Sequence, residues 1–227
     1  MAKKSMSSFA FRQEYMASFE AQGSDIFKEE WIQMSEDEPD TGDWFVSIDM
    51  AGFEEAGRKK KTQLDKTAIA IAKVNEDGWW VKDIIYGRWT FDETTRRIFN
   101  VVEEYDPVSV GLEAGIAKQA IVSPLIDMMR KKNVYFNIKE LSHGNKNKLN
   151  RVVSALQGRF EHGAIKLKKG KWNVEFLDQL FQFPNPQVHD DMVDAIAYID
   201  QIAKTSYYQN FNVEETEYEP LDATAGY

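Results

Sequence analysis

Five carboxylates in this chain stand where a fold could gather them: Asp49, Glu113, Asp190, Asp191 and Asp194. Asp49 closes the run Val46-Ser47-Ile48-Asp49 and Glu113 closes Val110-Gly111-Leu112-Glu113. Side chains alternate along a strand, so Asp49 shares a face with Ser47, and Glu113 shares one with Ser109 and Gly111. Each acid thus ends a strand with little bulk beneath it. Asp190, Asp191 and Asp194 open a helix whose apolar stripe runs Met192, Ile196, Ile199, Ala203, and Asp191 and Asp194 are neighbours on one helical face. Carboxylates brought together repel unless cations neutralise them. The cation that suits an all-oxygen site is hard, Mg²⁺ or Mn²⁺ with waters completing its shell. Two such ions about 4 Å apart can activate a water and stabilise the leaving oxygen of a phosphodiester. Taken singly the acids have plainer readings: Asp49 as a strand-end turn residue, Glu113 as a loop carboxylate, the aspartates as helix caps complementing the dipole.

The elements that must position these acids follow from the pattern. Residues 9–31 have helical character, and the acidic run Ser35 to Asp40 reads as a linker. Strands are expected at Asp43 to Met50, Thr67 to Val74 and Gly78 to Thr90, with Asn75 to Gly78 as a hairpin turn. Helices over Phe91 to Tyr105 and Ala117 to Lys132 then alternate with strands over Pro107 to Glu113 and Val134 to Leu141. A helix over Asn147 to Phe160, a short strand at Ala164 to Leu167, and helices over Asn173 to Phe181 and His189 to Lys204 complete the chain. Three strands followed by alternating helix and strand indicate an α/β domain with a mixed sheet. Three regions result: a helical and linker segment 1–43, a core domain 44–206 and a flexible acidic tail 207–227.

Bulk properties agree with one domain and its appendages: 227 residues, 43% hydrophobic and 29% charged. With no cysteine, disulfide frameworks and thiolate metal sites are excluded. No run of about 18 apolar residues offers a membrane span, and the start lacks a signal-peptide core, so a cytosolic protein is expected. A net charge of −9 weighs against a nucleic-acid partner, yet the acid concentrates near residues 36–43 and 214–222. Basic clusters lie between, at 58–61, 130–132, 146–151 and 166–171, which leaves room for a local positive groove as well as for solvated loops.

The runs VSIDMAG (46–52), VGLEAG (110–115) and HDDMVDAIAY (189–198) resemble the nuclease domain of bacteriophage terminase large subunits. The order of the acids also resembles RuvC-type resolvases and other RNase H-like nucleases. The resemblance spans most of residues 9–205. It implies an RNase H-like fold, with a mixed central sheet flanked by helices, and a divalent-metal-dependent endonuclease that cuts concatemeric viral DNA during packaging. Asp49, Glu113 and Asp191 would be the catalytic metal ligands, with Asp190 and Asp194 as further ligands to a pair of Mg²⁺ or Mn²⁺ ions. Residues 142–151 resemble the family segment whose basic residues lie near DNA, which makes Lys146, Lys148 and Arg151 candidates for phosphate contacts. The implied partners are double-stranded DNA, the terminase ATPase domain, the small terminase subunit and the portal, in the host bacterial cytoplasm and without a membrane.

No P-loop precedes these motifs, so the packaging motor is not expected in this sequence. Gly52 and Gly57 have P-loop spacing, but Arg58 and Lys59 stand where Lys and Ser/Thr belong, and a basic loop touching DNA suits them better. The three histidines, His143, His162 and His189, lack the short spacing of a zinc site; His189 could orient a carboxylate or be only a loop residue. Two other functions share these features. A junction resolvase would prefer branched DNA, and a non-catalytic DNA-binding or assembly module would bind no divalent metal.

Overall fold

The computed structural model describes residues 26–50, 66–142 and 147–210, with side chains omitted at 116–119 and 204–210. Most of the expected helical segment 9–31 and of the expected tail lies outside the described residues. Seven strands form one mixed sheet: β1 (Gln33–Met34), β2 (Asp43–Asp49), β3 (Thr67–Asn75), β4 (Gly78–Gly87), β5 (Ser109–Glu113), β6 (Ile138–Leu141) and β7 (Ile165–Leu167), in the order β1-β7-β4-β3-β2-β5-β6. The central three are antiparallel. β5 runs parallel to β2, and β6 parallel to β5. The expected mixed sheet is therefore present. β1 is an addition, a two-residue edge paired with β7 beside the expected linker.

Helix α1 (Phe91–Tyr105) starts where Thr90 and Glu93 cap each other reciprocally. Helix α2 is Ile116–Lys132. The strand anticipated from Val134 shrinks to β6, because Asn133 ends α2 in the left-handed conformation and Val134 N–H still bonds to the Met129 carbonyl. The helix expected from Asn147 is α3 (Lys148–Val152), a π-helical turn over Val153–Gln157 and α4 (Gly158–Glu161). Helix α5 (Trp172–Gln182) and helix α6 (Asp191–Asn210) follow. Among the described residues no helix is long and apolar enough to cross a membrane.

Strand parity sorts the core into two layers. Val46 and Ile48 of β2 join Val110 and Leu112 of β5 against α1 and α2. Phe45 joins the alternate residues of β3, Ala68, Ala70 and Ala72, against α6 and the α3 to α4 segment. Ser47 and Asp49 share that second face. Ala70 pairs with Ser47 and Ala68 with Asp49 across the antiparallel ladder, so the strip beneath α6 is made of small side chains. The helix settles close enough for the Ser47 hydroxyl to donate to the Ala195 carbonyl at 2.5 Å. Burial of each large side chain on either face stabilises the fold by about 1.5–3 kcal/mol, and β2, covered on both sides, has four consecutive buried residues, Phe45 to Ile48.

The β3–β4 turn tolerates no side chain at Gly78. Its φ is +137°, a Cβ there would collide with the Ala164 carbonyl oxygen, and the Asn75 side chain accepts from the Asp77 and Gly78 amides. Gly78→Ala should cost about 1–3 kcal/mol from backbone strain, before any displacement of β7. The midpoint of urea denaturation measures it, and an unchanged midpoint would show that the turn yields freely.

Candidate metal centre

Three segments distant in sequence meet at the carboxyl ends of β2 and β5. Asp49 and Glu113 leave their strands on the α6 side, within hydrogen-bonding reach of each other. Asp191 and Asp194 arrive on the first turn of α6, whose dipole favours negative charge. The anchor between Ser47 and Ala195 fixes that turn above β2. A second anchor comes from α5, where the Gln179 side-chain oxygen accepts from the Met192 amide at 3.0 Å.

Burial pushes the Asp49 carboxyl well above the ordinary aspartate range, and Asp194, Glu113 and Asp191 push it further. The gathering thus registers as electrostatic cost. Asp194, also buried, is raised by burial against the opposing pull of Lys148 and Arg151. Asp191 accepts from the Tyr86 hydroxyl at 3.0 Å, and the ring nitrogen Nδ1 of His189 lies 3.9 Å from the same carboxylate oxygen. Burial first, then Asp191, raises the Tyr86 phenol well above its usual value and keeps it a donor.

Lys148 and Arg151, two of the cations expected to face DNA, are turned toward the acids. Lys148 Nζ lies 2.6 Å from Asp190 Oδ1 and 2.6 Å from Asp194 Oδ2. The Arg151 guanidinium donates to the other oxygen of Asp194 at 2.6 Å and to the Tyr198 hydroxyl at 2.7 Å. Its charged plane also rests over the Tyr198 ring, 4.5 Å from the centroid. Arg151 is buried and holds the site from behind, whereas Lys148 keeps about half its side chain exposed, at 47%. Lys146 and His143 lie outside the described residues, as does the glycine and lysine run between β2 and β3. His162 follows α4, on a different segment from the acids.

The structure brings together Asp49, Glu113, Asp191 and Asp194, and leaves Asp190 paired to Lys148. Among the described residues no three Asp, Glu or His side chains are already disposed as an ion's ligand set. The donor chemistry nevertheless fits a hard divalent cation: the donors are oxygens only, and Asp49, raised by burial and by the acids around it, lacks a cation of its own. Two contributors had no warning in the sequence. Tyr86 comes from β4, two strands away, and Gln179 from α5. Tyr198 was legible in principle, four residues beyond Asp194 on the same helical face.

The family model for the terminase RNaseH-like domain matches residues 54–200. That span takes in Glu113 and the α6 aspartates and begins just after Asp49. No curated protein matches the chain. Among solved structures, the nuclease domain of the P22 large terminase superposes with a TM-score of 0.54 at 13% identity, over 78% of this chain and 90% of that one. The large terminase of a thermophilic bacteriophage gives 0.51 at 12% identity, over 78% of this chain and 43% of that one, so this chain spans less than half its length. The human cytomegalovirus terminase nuclease domain, soaked with manganese, gives 0.50 at 12% identity, over 76% and 88%. At such identities the likeness establishes the fold, which is RNase H-like.

Proposed function

The chain belongs to the terminase RNaseH-like domain family, and from that premise we propose that it is a divalent-metal-dependent endonuclease cutting double-stranded DNA during viral genome packaging. The observation that carries the proposal is the meeting of Asp49, Glu113 and Asp191 at the strand ends, with Asp49 raised by burial and then by its acidic neighbours. The cytomegalovirus domain of the same fold, soaked with manganese, supports Mn²⁺ as an ion for this site.

Asp49, Glu113 and Asp191 would hold the ion. Bound there, it would supply Lewis-acid stabilisation of the phosphodiester and a water acidic enough to attack near neutral pH. The protein's own residues do the positioning. Tyr86 fixes the orientation of the Asp191 carboxylate. Arg151 and Tyr198 fix Asp194 on the far side, and the Ser47 anchor sets the height of the whole turn. A second ion, expected from the five acids, has to compete with Lys148 for Asp190 and Asp194. Duplex DNA would be held chiefly through its phosphates, with little sequence preference and with affinity falling steeply in salt.

Plasmid cleavage by the whole chain tests the proposal. Supercoiled DNA should be nicked and linearised with Mn²⁺ or Mg²⁺ and left intact with EDTA. A folded protein that neither cuts nor takes up metal would instead be a non-catalytic packaging module.

Metal binding should also depend on pH in a defined direction. The folded value of Asp49 is raised above 3.8, so the folded chain holds a proton the unfolded chain releases. Its contribution to metal-free stability is therefore full below 3.8 and declines as pH climbs through the folded value. Asp49 would have to give up that proton to hold a divalent ion. The rise in Tm on adding Mn²⁺ should grow across the same interval, as thermal melts at a series of pH values would record. A rise in Tm independent of pH would place the ion away from Asp49.

A further inference from the structure

The acids of α6 divide between two kinds of cation partner. Arg151 is buried, donates at once to Asp194 and Tyr198, and lies over the Tyr198 ring; it has no way out. Lys148 bridges Asp190 and Asp194 with two contacts of 2.6 Å, yet stands on the first residue of α3 with a half-exposed side chain. The backbone below it is fixed, since the Asn147 side chain caps α3 by accepting from the Asn150 amide at 2.8 Å. Only the lysine's four-carbon stem needs to move for its ammonium to leave.

We propose that Lys148 is a resident counter-cation that reserves the Asp190 and Asp194 carboxylates, so that the DNA-free protein takes up one divalent ion and admits a second only when this ammonium is withdrawn. The inference rests on the metal-dependent reading above. Its physical basis is exclusion. A divalent ion ligated by Asp194 Oδ2 would crowd and repel the ammonium that lies 2.6 Å from the same oxygen. The remaining Asp194 oxygen is already taken by Arg151. A backbone phosphate arriving at the site offers the ammonium an alternative anion, which ties loading of the second ion to the presence of substrate. Lys148 is thus a positioning residue, acting through the two aspartates.

The test is the stoichiometry of Mn²⁺ on the whole chain without DNA, by titration calorimetry and by the loss of the free-ion paramagnetic resonance signal. Wild type and Lys148→Met are compared, with circular dichroism as the check on folding. Wild type is expected to bind about one ion and Lys148→Met about two, the second gaining at least about tenfold in affinity once the ammonium is gone. Two ions of similar affinity on wild type would overturn the inference and leave the nuclease reading standing. So would a folded Lys148→Met protein with an unchanged isotherm. If the variant does not fold, the wild-type stoichiometry still decides. No Mn²⁺ on either protein would take down the metal reading together with this inference.

Discussion

Asp49→Asn should abolish cleavage, by about a hundredfold to a thousandfold or more, while leaving the metal-free protein at least as stable as wild type. The two effects have one cause. Asp49 stands half-buried among Asp194, Glu113 and Asp191, and above its raised folded value its charge is repelled by all three. Asparagine keeps the shape and removes the charge, which would relieve the apo fold and would deprive the proposed ion of its central ligand. The gain in stability should be absent at about pH 4, near the ordinary aspartate value, where the wild-type carboxyl is protonated in the folded chain, and should appear as the pH rises. Cleavage assays with Mn²⁺ and thermal melts in EDTA across that range check both halves. Loss of activity accompanied by a lower Tm at every pH would mean that Asp49 serves the fold and not an ion.

Arg151→Met should be the costliest single change near the site for stability. It removes the cation from a buried pair whose side chains are 10% and 6% exposed, and strands part of the Asp194 charge where water cannot reach it. Breaking a buried pair from one side costs about 3–5 kcal/mol, and the surviving Lys148 contact places the expectation at the lower end. Asp194→Asn in the same chain should recover most of the loss, since the uncompensated charge then disappears. Urea denaturation of the single and double variants beside wild type measures it. If Arg151→Met alone costs less than about 1 kcal/mol, the guanidinium is a solvated DNA-facing group after all, as the family resemblance implies.

What the sequence revealed depended on how local the signal was. The period-two pattern of Val46 to Asp49 and of Val110 to Glu113 assigned both acids to one face of two strands, and the two-layer core obeys that assignment. The hairpin at Asn75 to Gly78 is equally local and equally readable, whereas Thr90, expected as the end of the third strand, lies beyond β4 and caps α1 with Glu93. By contrast, the direction taken by Arg151 depends on Tyr198 and Asp194, more than forty residues later. A basic cluster looks the same in sequence whether its charges meet phosphate or a buried aspartate. Tyr86 escaped notice for a similar reason. Its partner Asp191 is 105 residues away, and nothing in the alternation of β4 marks that tyrosine from its neighbours.

The order in which the site's parts occur along the chain also bears on how the protein is made. Translation delivers Asp49 first, Glu113 later and the α6 aspartates last, and α6 lies against β2 and β3 at the middle of the sheet. A nascent chain that has not yet released α6 from the ribosome lacks both the third acid and the helix that covers Phe45 and the alanine strip. Such a chain cannot assemble the proposed ligand set. On the proposed function, the competence to cut would arrive only with α6, and half-made copies would not cut.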